Sequence, residues 1–301
     1  MDNRIVSEIL ELKGKKDAVI LAHSYQPPEI QDIADHVGDS LQLSRTAAST
    51  RSSVIVFCGV RFMAETAHIL SPEKTVLLPE PEAGCPLADC IEAPALRSMQ
   101  EMYPDALTVL YVNSPADVKA ESYACCTSAN ALEVVESAPS DEIIFAPDRN
   151  LGTFVSRRSD KTIHIWNGAC RCHATADIQN IRAVMEEWPD AELLVHPETP
   201  PEVWEPAHAV LGTGGMIRHI AESSSQRFII GTEEGMAYRL KTLYPDRKFR
   251  TGGNIYCVNM KKITLEKILD SLKRLKPVIE LDTEIREKAY AAVARMTEIT
   301  G

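Results

Sequence analysis

The N-terminal stretch lacks the marks of an exported or membrane-inserted protein. The letters MDNRIVSEILELKGKK contain neither a long apolar run nor a cleavage site of small residues. Their apolar residues follow helical spacing instead. We therefore expect neither a signal peptide nor a transmembrane span, and we expect the protein to be cytoplasmic.

Basic residues are also scarce. The chain has 32 Lys and Arg against 43 Asp and Glu, which gives a net charge of −11, and no lysine-rich run offsets this balance. Nucleic acids and anionic membrane surfaces both require a basic face, so the composition argues against either as a partner. An anionic ligand would have to be held by local features such as helix N-termini.

A disulfide pattern is missing as well. The eight cysteines have irregular spacings in a chain of 301 residues. In the cytoplasm such thiols are expected to be reduced, so they indicate a metal or catalysis more than a disulfide framework. Buried inert thiols are the alternative for most of them. With 45% hydrophobic residues, the composition excludes disorder and allows two or three domains with cores.

What the chain does contain is a threefold internal repeat. Each of three segments combines an Asp-Ala start, an apolar strand, a polar triplet and a helix opening with Pro and acidic residues. They are DAVILAHSYQPPEIQ from Asp17, DALTVLYVNSPADVK from Asp105 and DAELLVHPETPPEVW from Asp190. The starts lie 88 and 85 residues apart, and such a fixed period marks a repeated architecture.

The repeat predicts three small domains followed by a helical tail. We place the domains at residues 1–87, 88–173 and 174–260, with a tail at 261–301 that packs on the first domain. Strands and helices alternate in each unit, which predicts parallel sheets with right-handed crossovers. The expected fold is α/β: three small parallel α/β/α domains, related by a pseudo-threefold axis, around a central cluster and active site at the carboxyl ends of the strands.

One hydroxyl residue recurs in each unit, seventeen residues after the end of the first strand. The strand ends are His23, Tyr111 and His196, and the hydroxyl residues are Ser40, Ser128 and Thr213. Each hydroxyl opens an apparent helix, whose free backbone N–H groups favour anions. Plain helix capping is the alternative for any one of them, but the shared offset favours an anion site in one cavity. A non-catalytic sensor of small anions on the same scaffold stays open as an interpretation.

One cysteine also recurs in each unit, shortly after the last strand. These residues are Cys85, Cys170 and Cys257, and they lie 85 and 87 residues apart. We expect the three thiolates to meet near the pseudo-threefold axis. Zinc held by three cysteines normally takes a fourth protein ligand, whereas an iron-sulfur cluster with three cysteines leaves one iron open as a Lewis acid for dehydration chemistry.

The segment NGACRCH offers a rival interpretation, a structural zinc site that uses Cys170, Cys172 and His173. Such a site needs a second group of ligands from elsewhere in the chain. The available pairs are Cys85 with Cys90 and Cys125 with Cys126. Because Cys172 has no counterpart in the other units, we interpret Cys170 as a cluster ligand and Cys172 as a bystander.

Ionisable residues at the predicted strand ends are candidates for proton transfer. His196 and Glu198 stand together in the letters HPE, and a histidine beside a carboxylate can move protons near pH 7. His23 and His173 also lie at or near strand ends. Tyr25 is a further candidate as a proton donor, with a purely structural role as the alternative.

With these residues assembled, the chain closely resembles the bacterial and archaeal quinolinate synthases from end to end. The matching segments are AHSYQPPEIQDIADHVGDSL, GVRFMAETA, AGCPLAD, YVNS, CTSANA, FAPDRNLG, HPE and NMKKITLEKI. The resemblance implies three pseudo-symmetric α/β domains around a 4Fe-4S cluster that three cysteines hold. It also implies condensation of iminoaspartate with dihydroxyacetone phosphate, with release of phosphate and water, to form quinolinate for NAD biosynthesis. Iminoaspartate would come from a separate aspartate-oxidising enzyme.

Carried over position by position, the resemblance implies roles for most residues singled out above. The implied cluster ligands are Cys85, Cys170 and Cys257. The implied iminoaspartate contacts are His23, Ser40, Tyr111, Val112, Asn113, Ser128, His196, Pro197, Glu198 and Thr213. The residues implied in proton transfer are Tyr25, His173, His196 and Glu198.

Two departures from the family pattern are visible. Many members read Gly-Ser-Thr-Ser-Gly before the third helix, where this chain reads LGTGG, so Thr213 is kept and a neighbouring hydroxyl is lost. Some members also carry further cysteines just before the third ligand. Here Cys257 stands alone, which removes a regulatory disulfide at that place.

Overall fold

The N-terminal unit alternates helices and strands, as its sequence predicts. A computed structural model describes residues 3–299 of the chain. The elements of this unit are α1 (Asn3–Lys15), β1 (Ala18–His23), α2 (Pro28–Ile33), β2 (His36–Gly38), α3 (Ser40–Ser49), β3 (Val54–Cys58), α4 (Arg61–Leu70) and β4 (Thr75–Leu77). Every residue of β1 is buried, as expected for a parallel strand that helices cover on both faces.

The same alternation follows twice more. The second unit comprises α5 (Ala93–Met102), β5 (Leu107–Tyr111), α6 (Ala116–Ala120), β6 (Ala124–Cys126), α7 (Ala131–Ser137), β7 (Glu142–Ala146), α8 (Arg149–Ser156), β8 (Thr162–Ile165) and α9 (Arg171–Ala174). The third comprises α10 (Ile178–Glu187), β9 (Glu192–Val195), α11 (Pro201–Trp204), β10 (Ala209–Val210), α12 (Thr213–Glu222), β11 (Arg227–Gly231), α13 (Gly235–Leu243) and β12 (Lys248–Thr251).

The remaining elements are helical. Two short 3₁₀ helices follow the first and third units, at Ala88–Cys90 and Met260–Lys262. The tail contains α14 (Leu265–Arg274) and α15 (Thr283–Glu298), so it is helical as the sequence predicts. Between residues 3 and 299, no helix combines the length and the apolar character that crossing a bilayer requires.

One sheet topology occurs three times. The strand orders are β2-β1-β3-β4, β6-β5-β7-β8 and β10-β9-β11-β12, and all pairings within these sheets are parallel. Because the strands of each sheet are parallel, their carboxyl ends lie along one edge, where α/β proteins bind ligands. The predicted α/β fold of three repeated parallel units is confirmed.

Each sheet also has a short strand at one edge that the sequence pattern did not reveal. These strands are β2, β6 and β10, which have three, three and two residues. A run this short shows no hydrophobic periodicity. It becomes a strand because its backbone pairs with the first strand of its unit, and this pairing depends on the tertiary structure.

Two of the three recurring hydroxyls open a helix as predicted. Ser40 is the first residue of α3, with Asp39 as its N-cap. Thr213 is the first residue of α12, with Gly212 as its N-cap. The backbone N–H groups of both first turns therefore point toward the carboxyl edges of their sheets.

Ser128 differs, because α7 begins only at Ala131 and Ser128 lies in the preceding turn. Asn130 holds this turn: its Oδ1 accepts a hydrogen bond from the Thr127 N–H at 2.7 Å. The Asn130 side-chain amide also donates to the carbonyl of Met296 at 3.0 Å. The turn that carries Ser128 is thus attached to the tail.

The tail packs along the first two units. Helix α14 lies against α1, and α15 lies against α3, α4, α6 and β6. One face of α15 is fully buried, through Ala289, Ala292, Val293 and Met296. The tail therefore contacts the second unit as well as the first, and the domain boundaries at residues 87, 173 and 260 remain a prediction.

Candidate functional site

The carboxyl ends of strands from all three sheets surround one cavity of about 290 Å³. Most of the residues predicted from the sequence line it. They are His23, Tyr25, Ser40, Cys85, Tyr111, Asn113, Ser128, Cys170, His173, His196, Glu198, Thr213 and Cys257. Val112 and Pro197 are buried next to lining residues in the chain, but they do not themselves line the cavity.

The helix openings of the first and third units approach each other at this cavity. The Asp39 carboxylate accepts the N–H of Gln42 in its own helix at 2.8 Å and lies beside Gly214 in α12. A Cβ at Gly214 would lie too close to Asp39 Oδ2, so a larger residue here would displace that carboxylate. Ser128 of the second unit joins the group, because its Oγ lies 3.1 Å from His196 Nε2.

Glu198 is the centre of a buried hydrogen-bond network. The Tyr111 hydroxyl donates to Glu198 Oε1 at 2.6 Å, and His173 Nδ1 lies 2.6 Å from Glu198 Oε2. The Asn150 side chain donates to the Glu198 backbone carbonyl at 2.8 Å, which fixes the loop. Only 3% of Glu198 is exposed, so these partners replace water around its charge.

Mutual electrostatics set the charge of the Glu198–His173 pair. Burial by itself raises the pKa of Glu198, but the adjacent imidazole holds that pKa well below its ordinary value. Burial likewise lowers the pKa of His173, and Glu198 reverses this effect, so the pKa of His173 stands above its ordinary value. Each group therefore stabilises the charged form of the other.

Thr232, which the sequence pattern did not single out, connects two of the candidate proton-transfer residues. Its Oγ1 lies 2.6 Å from the Tyr25 hydroxyl and 2.8 Å from His173 Nε2. Thr232 is fully buried and directly follows β11. In the sequence, its position directly after a predicted strand was the one feature that could have identified Thr232 as a site residue. A continuous chain of hydrogen bonds thus runs from Tyr25 through Thr232, His173 and Glu198 to Tyr111.

The two other histidines of the cavity are neutral. Burial lowers the pKa of His23 and of His196 to about 3 in each case. His23 Nδ1 accepts a hydrogen bond from the Tyr25 N–H at 3.2 Å. The His196 ring stacks on that of His173 at a centroid distance of 4.7 Å. Both rings can therefore accept or donate hydrogen bonds to a ligand without carrying charge.

Four thiols lie at the cavity, one more than the repeat predicts. The three repeat cysteines and Cys172 all line it, and all are free. Cys170 Sγ lies 3.8 Å from Cys172 Sγ, and the Cys172 thiol is near enough to Cys257 to raise the pKa of that residue. Cys172 is thus a neighbour of two of the predicted ligands, and its exclusion from the ligand set remains a prediction.

The donor groups at this place fit a thiophilic metal or cluster. Burial raises the pKa of Cys85. The Cys172 thiol lowers the pKa of Cys170, but burial together with the charges of Glu198 and Cys85 outweighs this effect, and the value rises to about 12. Thiols that hold their protons this tightly become thiolates when a metal compensates the charge. Sulfur ligands select zinc, copper(I) or iron-sulfur clusters.

A second ligand group shares one of these thiols. The ligand atoms of Cys170, His173 and Glu198 lie within 4.8 Å of one another, close enough to hold a single metal ion. However, both Glu198 oxygens already have partners, Tyr111 on one side and His173 on the other. The carboxylate is therefore better suited to hold protons than to bind a metal.

Comparison with known proteins gives one consistent result. The family model described as "Quinolinate synthetase A protein" matches residues 7–298. A quinolinate synthase of Dehalococcoides mccartyi is 51% identical over 297 residues, which cover 98% of each chain. The protein named quinolinate synthase 2 of Methanosarcina acetivorans is 49% identical over 301 residues, which cover 100% of this chain and 97% of the relative. A quinolinate synthase of Thermodesulfovibrio yellowstonii is 51% identical over 298 residues, again 98% of each chain. This chain therefore belongs to the quinolinate synthetase A protein family.

Proposed function

We propose that this chain is a quinolinate synthase. It condenses iminoaspartate with dihydroxyacetone phosphate, and loss of phosphate and water then closes the ring of quinolinate in the biosynthesis of NAD. The reaction combines a transferase step with dehydration. One observation carries the proposal: three repeat-related cysteines meet a buried Tyr–Glu–His network at one cavity. Relatives that are 51% and 49% identical over nearly their whole length are named for this activity.

The cofactor that we infer is a 4Fe-4S cluster held by Cys85, Cys170 and Cys257, one from each unit. When bound, the cluster would supply a Lewis acid for a substrate oxygen, because three cysteines leave one of its four irons without a protein ligand. The raised pKa values of Cys85 and Cys170 support this inference, since such thiols need a cation beside them to ionise. We propose the reducing cytoplasm as the location, because it keeps the thiols available.

Local polar groups hold the anionic ends of the substrates in this proposal. Ser40 and Thr213 stand at the N-termini of α3 and α12, where free backbone N–H groups favour anions. Asn113 Oδ1 is buried without a hydrogen-bond partner among the described residues, so it calls for a donor from a ligand. An imine N–H or a hydroxyl of the substrates is such a donor.

The proposed partners are small molecules. The net charge of −11 disfavours nucleic acids and anionic membranes, and we propose neither as a partner. Iminoaspartate is short-lived, and we propose that a separate aspartate-oxidising enzyme supplies it.

Glu198, His173 and Tyr25 handle the protons of the reaction. The Tyr111 hydroxyl holds one Glu198 oxygen in place, so that the other shares a proton with His173 Nδ1 over 2.6 Å. Burial raises the pKa of Tyr25, so its phenol stays protonated and acts as a donor. Neutral His196 orients Ser128 toward the substrate. General acid–base groups of this kind each contribute about 10²–10⁴-fold to a rate.

Anaerobic purification with metal analysis tests the proposal. We expect about four irons and four sulfides per chain. The loaded protein should form quinolinate from iminoaspartate and dihydroxyacetone phosphate. Stoichiometric zinc in place of iron would reject the proposal in favour of a structural zinc protein. A loaded cluster without product formation would instead support a sensor of small anions.

Thr232→Val is expected to lower kcat by about tenfold to a hundredfold, because each buried partner left unpaired costs about 1–3 kcal/mol. Valine has nearly the shape of threonine but lacks the hydroxyl that holds Tyr25 and His173 together. Thr232→Ser keeps that hydroxyl and should retain most of the activity. Steady-state rates of both variants at equal iron content provide the measurement. Wild-type kcat in the valine variant would contradict this role of the hydroxyl.

A further inference from the structure

One recurring backbone hydrogen bond anchors the cysteine loops of the three units. In each unit, the residue three positions beyond the third strand donates its N–H to the carbonyl two residues before the repeat cysteine. The pairs are Arg61 with Ala83 at 2.8 Å, Arg149 with Gly168 at 2.8 Å and Glu234 with Ile255 at 3.2 Å. The backbones of the three units are equivalent here, so side-chain differences at neighbouring positions can be compared directly.

The residue just before each of these donors differs between the units. It is Asp148 in the second unit and Glu233 in the third, but Val60 in the first. Both acids are fully buried, whereas Val60 packs in the apolar core. Acidic side chains are almost never fully buried unless they are paired, so each of these two needs specific partners.

Asp148 uses both carboxylate oxygens to hold backbone. Oδ2 accepts the N–H of Cys170 at 2.9 Å. Oδ1 accepts the N–H of Leu151, in the first turn of α8, at 2.8 Å. One buried carboxyl group therefore joins the loop of a cluster cysteine to the start of a helix.

Glu233 repeats this arrangement with a longer side chain. Oε1 accepts the N–H of Cys257 at 3.3 Å, and Oε2 accepts the N–H of Gly235 at 2.7 Å. Lys261 compensates the charge, with its Nζ 2.8 Å from Oε1. The third unit thus holds its cysteine backbone in the same manner as the second.

We propose that Asp148 and Glu233 are positioning residues, which hold the backbones of Cys170 and Cys257 in the arrangement that the cluster requires. The proposal rests on the cluster inferred above. Both carboxylates act on the cysteine backbone N–H groups, so each thiol stays free to ligate. A ligand whose backbone is already ordered loses less conformational freedom on binding, and such outer partners support metal sites. Cys85 has no acid of this kind, because Val60 stands at the equivalent position.

Amide substitutions that preserve shape test the proposal. In Asp148→Asn and Glu233→Gln, only one oxygen remains and the new NH₂ group faces a donor, so one of the two backbone bonds is lost. After reconstitution of the cluster, we expect a ferrous-iron chelator to remove iron from each variant at least about tenfold faster than from wild type. The absorbance of the cluster measures the rate of iron loss. Asp141→Asn and Glu222→Gln are matched controls at exposed acids of the same units and should behave as wild type.

Mass spectrometry can follow the alkylation of each ligand thiol while iron is lost. The order in which the thiols react separates a local loss of cysteine positioning from a general destabilisation of the protein. Cys170 should react first in Asp148→Asn, and Cys257 should react first in Glu233→Gln. Equal acceleration at all three ligand thiols, or wild-type iron loss in both variants, would overturn the proposal.

Two further controls keep the test decisive. Circular dichroism of the cluster-free proteins checks folding, and if one variant fails to fold, the other tests the proposal at its own thiol. A wild-type protein that takes up no cluster would overturn the proposed cofactor together with this inference. A loaded wild type with unaffected variants would overturn the positioning role alone.

Discussion

Cys170→Ser is expected to leave the chain without iron and sulfide, whereas Cys172→Ser is expected to retain about four of each. The reason lies in the repeat: Cys170 stands 85 residues after Cys85 and 87 before Cys257, and Cys172 has no counterpart. Proximity does not separate the two residues, since their sulfurs lie 3.8 Å apart. Serine is nearly the same size as cysteine but is a poor ligand for iron-sulfur clusters, so the substitution removes the ligand with little change in packing.

Iron and sulfide analysis of anaerobically purified variants, with the visible absorbance of the cluster, provides the measurement. Cys90→Ser serves as a control, because Cys90 is an exposed thiol outside the cavity lining. A cluster that survives in Cys170→Ser but is lost in Cys172→Ser would show that proximity, and not the repeat, identifies the ligand.

Glu198→Gln is expected to reduce kcat by about 10²–10⁴-fold, which is the usual contribution of a general acid or base. The amide keeps the shape of the side chain but cannot carry the charge that holds the pKa of His173 above its ordinary value. Once that charge is lost, burial favours neutral His173. The hydrogen bond from the Tyr111 hydroxyl can persist, since an amide oxygen still accepts. The loss should therefore fall on proton transfer more than on the shape of the cavity.

Steady-state kinetics at matched iron content give this result directly, and iron analysis confirms that the cluster is retained. Glu202→Gln is the control, because Glu202 lies four residues further along the same segment and is exposed. A Glu198→Gln variant with wild-type kcat and a raised KM would assign Glu198 to substrate binding alone.

Much of the fold was predictable because parallel strands buried on both faces leave a plain signal in the sequence. The letters AVILAH of β1 and RFIIG of β11 are almost continuously apolar, and both runs form strands. The three cysteines and three hydroxyls were also found from the sequence, because a repeated fold places equivalent residues at equal intervals. Spacing alone therefore grouped residues that lie far apart along the chain.

Other features left no local signal. The edge strand β10 has two residues and exists because it pairs with β9. Ser128 lies in a turn, because Asn130 holds the backbone of Thr127 and so delays the start of α7. Neither the pairing of short backbone segments nor the anchoring of a turn changes hydrophobic periodicity, so neither was visible in the sequence.

The residues that support the site were the least predictable. Thr232 reaches Tyr25, which is 207 positions away in the chain. Asp148 and Glu233 act on the backbone of cysteines 22 and 24 residues further along. A single threonine or acid after a strand is common in sequences, and only its burial beside a particular partner distinguishes it.

The repeated α/β architecture and the recurring thiols and hydroxyls could be predicted from the order of residues, because apolar strands and internal repeats are visible there. The side chains that share protons and the acids that hold the cysteine backbones became visible only in the folded chain. Hydrogen bonds depend on distances of about 3 Å between groups that are far apart along the chain, and such distances arise only when each unit has folded and the three sheets are packed around one cavity.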